Sequence, residues 1–105
     1  MADDDILHRP MVLDEFLPLV GRQFLANCDP EEVELTLVEA SPLKDRGVTD
    51  RPPFILVFHT PPEAMLVEGS YVMRCGGWGP DRISIWPTMP PRPAEPGYYY
   101  QAVFN

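Results

Sequence analysis

The chain has 105 residues, 45% of them apolar, enough for one hydrophobic core and too many for wholesale disorder. Its formal charge of −8, from 16 acidic and 8 basic residues, repels phosphate backbones and anionic lipid, and no basic stripe offsets it. Nucleic acid and membrane are therefore not expected partners, and no run of about 18 apolar residues is present to span a bilayer.

Residues 1–10 are acidic, then mixed, without periodicity, and read as a flexible acidic arm ahead of a single β domain over residues 11–105. The opening Met1-Ala2-Asp3-Asp4-Asp5 lacks the basic and apolar regions of a secretory signal. The expected location is the cytoplasm, or an exported assembly that the chain joins.

Met11 to Val20 places Val12, Leu13, Phe16, Leu17, Leu19 and Val20 at helical spacing. Asp14 is the expected N-cap, and Gly21 stands where a helix ends on a left-handed residue. Pro18 limits the helix to two turns, because proline is tolerated only in a first turn. Such a helix covers one end or face of a sheet.

From Gln23 onward the period changes to 2. Gln23 to Cys28 is a short strand anchored by Phe24. Glu32 to Ala40 alternates Val33, Leu35 and Leu37 with Glu32, Glu34 and Thr36, the pattern of a sheet with one wet face. Phe54 to Thr60 is apolar on both faces and is placed centrally. Tyr71, Met73 and Cys75 share a face, as do Ile83 and Ile85. The run Tyr98 to Asn105 sets Tyr98, Tyr100, Ala102 and Phe104 against Tyr99, Gln101 and Val103. An alternating run of this kind is stable only when docked, so Phe104 is expected to be buried.

The 14 prolines, against a background near 5%, fall almost entirely between these runs, because proline cannot sit inside a sheet. The loop from Ser41 to Pro53 is expected to be mobile. Thr88 to Gly97 is stiffened by Pro90, Pro91, Pro93 and Pro96. No connection is long enough for a crossover helix. The fold class is therefore all-β in the main: a small antiparallel six-stranded barrel or sandwich, a meander in strand order, with one short N-terminal helix.

Chemistry-bearing patterns are few. His8 and His59 have no cysteine or carboxylate at metal-ligand spacing, and Cys28 and Cys75 read as reduced core or edge residues. Glu31, Glu32, Glu34, Glu63 and Glu68 read as solvated surface. Gly76-Gly77-Trp78-Gly79-Pro80 lacks the helix and lysine or serine of a phosphate loop, and is expected to be a hairpin loop with Trp78 near its tip. The PxxP spacings over 90–96 read as a rigid loop. No catalytic residue, metal or cofactor is expected.

Trp78, Trp86 and Tyr99 fall on loop or outward positions and are the candidate partner or ligand contacts, as an interface, a sugar platform or plain packing. On this reading, removal of Trp78 would cost well under ~1 kcal/mol.

Several pieces, taken in order, resemble one family. They are Phe16, Gly21 and Phe24; Leu35-Thr36-Leu37-Val38-Glu39; Pro53-Phe54-Ile55-Leu56-Val57-Phe58; Gly69-Ser70-Tyr71; Pro87; and the closing Tyr100-Gln101-Ala102-Val103-Phe104-Asn105. The set is similar to a family of roughly 100-residue bacterial proteins described only as a domain of unknown function. The resemblance implies company with phage tail-collar proteins, and so a role beside a tail-fibre-like or secreted trimeric protein. The expected function is a non-catalytic binding or assembly module with a protein partner, either a second copy or a fibre-like protein. The alternatives are a carbohydrate-binding module and a small enzyme with a site inside the barrel.

Overall fold

The structure, a computed structural model, describes residues 11–28, 31–44, 52–90 and 95–104. The predicted acidic arm, His8, most of the Ser41–Pro53 loop, residues 91–94 of the proline stretch and Asn105 lie outside the described residues.

Six strands close into an antiparallel barrel: β1 (Gln23–Cys28), β2 (Glu31–Pro42), β3 (Phe54–Thr60), β4 (Gly69–Cys75), β5 (Trp78–Pro87) and β6 (Tyr98–Phe104). Around the barrel the order is β1-β2-β3-β6-β5-β4, with β4 pairing back to β1. This corrects the meander, because β3 is followed in space by β6 and not by β4. Pro61 and Pro62 end β3 by removing backbone donors, and the chain then crosses one end of the barrel to begin β4 on the far side.

The two ends are closed differently. One end, the aromatic end, gathers the start of β1, β3 and β5 with the close of β2, β4 and β6. The expected helix lies here as two 3-10 turns, Leu13–Glu15 and Leu17–Leu19. Its backbone bonds span three residues, as between Phe16 N and Leu13 O at 2.9 Å, and Pro18 supplies no donor for a longer ladder. Val12, and not Asp14, opens the segment, its N–H donating to Glu15 Oε2 at 3.0 Å. The turns drop Phe16 into the barrel mouth, where it is fully buried against Phe54, Trp78 and Phe104.

The other end is spanned by residues 61–68, here termed the strap. Leu66 is its buried anchor, and the Leu66 N–H donates to the Tyr100 hydroxyl at 2.8 Å. The buried Thr60 hydroxyl lies 3.1 Å from the same oxygen. Between the ends, inward residues of all six strands fill the interior, Phe24 meeting Phe58 edge to face at 5.3 Å.

Phe104 is half-buried and not fully so, because it sits on the rim, where its ring stacks on Phe54 at 4.5 Å. Its strand pairs with β3 along the whole of Tyr98–Phe104. Tyr98 lies at the opposite rim and is exposed despite its inward parity.

Two register shifts break the simple alternation. Between Leu37 and Glu39, β2 carries an extra residue opposite β3, and between Trp78 and Asp81, β5 carries one opposite β4. At the second, Gly79 has φ +86, and an added Cβ would stand 2.7 Å from the Met73 carbonyl, so only glycine fits.

Candidate functional site

The three aromatic candidates do not form one surface. Trp78 opens β5 and is no loop tip; the hairpin loop is only Gly76-Gly77. The extra residue in β5 shifts its phase by one, which turns Trp78 inward to lie opposite Cys75. There it packs on Phe16 and Phe24 at 5.1 and 5.5 Å, and its indole N–H donates to Glu15 Oε1 at 3.0 Å. Trp78 is a half-buried part of the aromatic end, and the expectation of a free contact residue is corrected.

Tyr99 faces outward as its parity requires, yet it is 7% exposed. Residues 95–96 lie over it: Glu95 N–H donates to its hydroxyl at 2.9 Å, and its ring lies 4.8 Å from that of His59. His59 Nε2–H in turn donates to the Pro96 carbonyl at 2.9 Å, a structural task. Gly97 lets the backbone pass this close, since a Cβ there would collide with the Thr60 carbonyl. Of the three candidates, only Trp86 presents an open face. It stands opposite Gln101 on the outer wall near the strap end.

Both cysteines are free, Cys75 buried at the aromatic end and Cys28 half-buried at the strap end. Burial pushes the Cys28 thiol up from its ordinary range. The neighbouring Tyr71 phenol is also raised, by desolvation first and then by the Cys28 and Tyr100 charges. Tyr71 donates its proton to the Val67 carbonyl of the strap at 2.7 Å. Among the described residues no group of three or more His, Cys, Asp and Glu is placed to hold a metal ion, and no helix is long and apolar enough to cross a membrane.

The strap end carries features that composition and alternation did not single out. Met65 and Val67 flank the buried Leu66 and are 63% and 68% exposed. Met89, in the loop that leaves β5 at the same end, is 85% exposed. The available signal was their position: large apolar residues within loops, where polar ones are the rule.

Beside the strap lies a groove of about 740 Å³, walled by Pro61, Glu63, Ala64 and Met65 on one side and by the β1–β2 hairpin on the other. Leu25 and Val33 contribute apolar surface, while Glu31, Glu32 and Glu34 supply carboxylates. Glu32 pairs with Arg74. Glu31, Glu34 and Glu63 have no ion-pair partner among the described residues.

The fold is thus a small closed antiparallel β-barrel. The chain belongs to the family described as Domain of unknown function (DUF6916), whose profile matches residues 11–104. Neither a curated protein nor a solved structure matches it.

Proposed function

We propose that this domain is a non-catalytic binding or assembly module that meets a protein partner through the strap end of its barrel. The observation that carries this reading is that Met65, Val67, Met89 and Tyr98, all large apolar side chains, are left exposed at this end of the barrel, with Trp86 on the outer wall near it. Single exposed apolar residues are ordinary, whereas several at one end of a small domain point to that end as a contact surface. Methionine suits the task, since its flexible thioether adapts to an apolar partner. The acidic surface adds selectivity, favouring partners with basic rims.

The partner suggested by resemblance is a tail-fibre-like or secreted trimeric protein beside which the domain assembles; a second copy is the other form of the same reading. A sugar platform has less support, because Trp86 alone of the aromatic candidates has an open face.

The test is site-specific photo-crosslinking in the native host, with the reactive residue placed at Met65, at Met89, or at Ser84 on the outer wall. Discrete adducts, identified by mass spectrometry, are expected from the two methionine positions and not from Ser84. Equal labelling from all three positions, or none, would overturn the reading.

A further inference from the structure

The ladder between β2 and β3 stops at Thr36 and His59, although β2 itself runs on to Glu31. The cause is in the sequence: Thr60 is the last residue of β3, and Pro61, which would stand opposite Glu34, has no N–H to give. β1 accompanies β2 to its very start, pairing Cys28 with Glu31. The hairpin therefore overshoots β3, and its β2 edge over residues 31–35 is paired on one side only among the described residues. That stretch is roughly 17 Å long.

Backbone direction along this edge follows from the bonds at its base. Leu37 donates its N–H to the Arg22 carbonyl at 3.0 Å and accepts from Gly21 N–H at 2.7 Å, so its polar groups face the β1 side. The β1–β2 register is unbroken from Thr36 to Glu31, so alternation turns Leu35 and Val33 the same way. Glu34 and Glu32 then aim their N–H and C=O away from β1, toward the groove. The strap wall leaves them alone; its own backbone bond there joins Ala64 N to Pro61 O.

We propose that this groove takes an extended, basic segment of the partner protein, which adds as a strand to the open edge of β2. The proposal rests on the binding-module reading and names the chemistry of its partner. Strand addition uses the main-chain groups of Glu32 and Glu34 for affinity and alternate side chains for specificity. The added strand continues the ladder that β3 leaves, antiparallel to β2. Its outward residues lie beside Glu34 and Glu63, where lysine or arginine is matched and an acidic residue repelled. Met65 and Ala64 offer the far wall to an apolar neighbour. A second copy of the chain is the wrong occupant, because edge-to-edge pairing would set glutamates against glutamates; the same charges guard the edge against self-aggregation.

The test is an NMR titration of the isotopically labelled full chain with a capped hexapeptide alternating lysine with valine or threonine. Amide signals of residues 32–34 and 64–65 are expected to shift. The same peptide with N-methyl groups on the main-chain nitrogens that face β2 should bind at least about tenfold more weakly. The glutamate-alternating peptide should not bind. Glu34→Pro, which removes an edge-facing N–H together with the carboxylate, should match that loss, whereas Glu34→Gln, which removes the charge alone, should lose mainly salt dependence. Unchanged binding of the N-methylated peptide to the parent protein overturns strand addition, whether or not Glu34→Pro folds. Failure of the peptides while Met65 and Met89 still crosslink a partner also overturns it, and leaves the module reading standing. Peptide binding without any crosslink does the reverse.

Discussion

The two ends of the barrel are closed by opposite means. At the aromatic end, Phe16, Phe54, Trp78 and Phe104 seal the mouth with ring against ring, at centroid separations of 4.5 to 6.1 Å. At the strap end, two hydroxyls hold the crossing segment, that of Tyr100 through the Leu66 N–H and the Thr60 side chain and that of Tyr71 through the Val67 carbonyl. The ring packing is spread over several side chains, while Val12, Leu17 and Val20 of the turns above it remain exposed. The two polar pins of the strap hold its backbone and leave the side chains of Met65 and Val67 standing outward. One end is therefore held by rings packed on rings, and the other by hydroxyl hydrogen bonds to a crossing segment.

Breaking the aromatic end should cost most. Deleting Val103 to Asn105 removes Phe104 from its stack and shortens the β3–β6 ladder. Domains hold only ~5–15 kcal/mol in total, so little folded protein is expected by circular dichroism. Phe16→Ala should cost ~3–5 kcal/mol in a urea melt, and the half-buried Trp78→Ala roughly 2. A Trp78→Ala loss below ~0.5 kcal/mol would return that ring to the surface.

The strap end should respond less. Tyr100→Phe strands the Leu66 N–H and the buried Thr60 hydroxyl, for ~1–3 kcal/mol, with faster amide exchange confined to residues 61–68. Loss as large as that of Phe16→Ala would show that the pin supports the whole barrel. Met65→Ser should change stability by under ~0.5 kcal/mol while weakening partner crosslinking.

The smallest effect is alkaline loosening. The Cys28 thiol and Tyr71 phenol are both raised in the folded state. Raised groups stabilise fully below their unfolded values, here 9.0 and 10.0, and that contribution is lost as pH climbs through the folded ones. Deprotonated Tyr71 can no longer donate to the Val67 carbonyl, so exchange at the strap should quicken above pH 9 before the aromatic end responds. Simultaneous loosening of both ends would dissolve the distinction.

Strands bounded by hard punctuation were legible from sequence alone. β1 and β3 begin and end as their patterns indicate, because Gly21, Pro53 and Pro61 leave the chain little choice. Legibility failed where one extra residue shifted the phase: Gly79-Pro80 read as part of a turn, and the bulge behind it sent Trp78 inward. Tyr99 failed for another reason. Its outward direction was right, but its cover comes from Glu95 and the His59–Pro96 contact, which alternation within one strand does not reveal. The glutamates beside the groove were visible as a wet face. The open edge behind them was not, because it depends on where two ladders stop.

The late arrival of β6 also has a meaning in time. Thr60 and Tyr100, which meet in the folded barrel, are forty residues apart in the chain. At ribosomal speeds of about 5–20 residues per second, β3 waits roughly 2–8 s for the strand that completes its pairing. Throughout that interval a segment apolar on both faces has a neighbour on one side only. The vulnerable moment of this protein falls during its synthesis, and its yield should depend on how crowded, how warm and how well chaperoned that brief interval is.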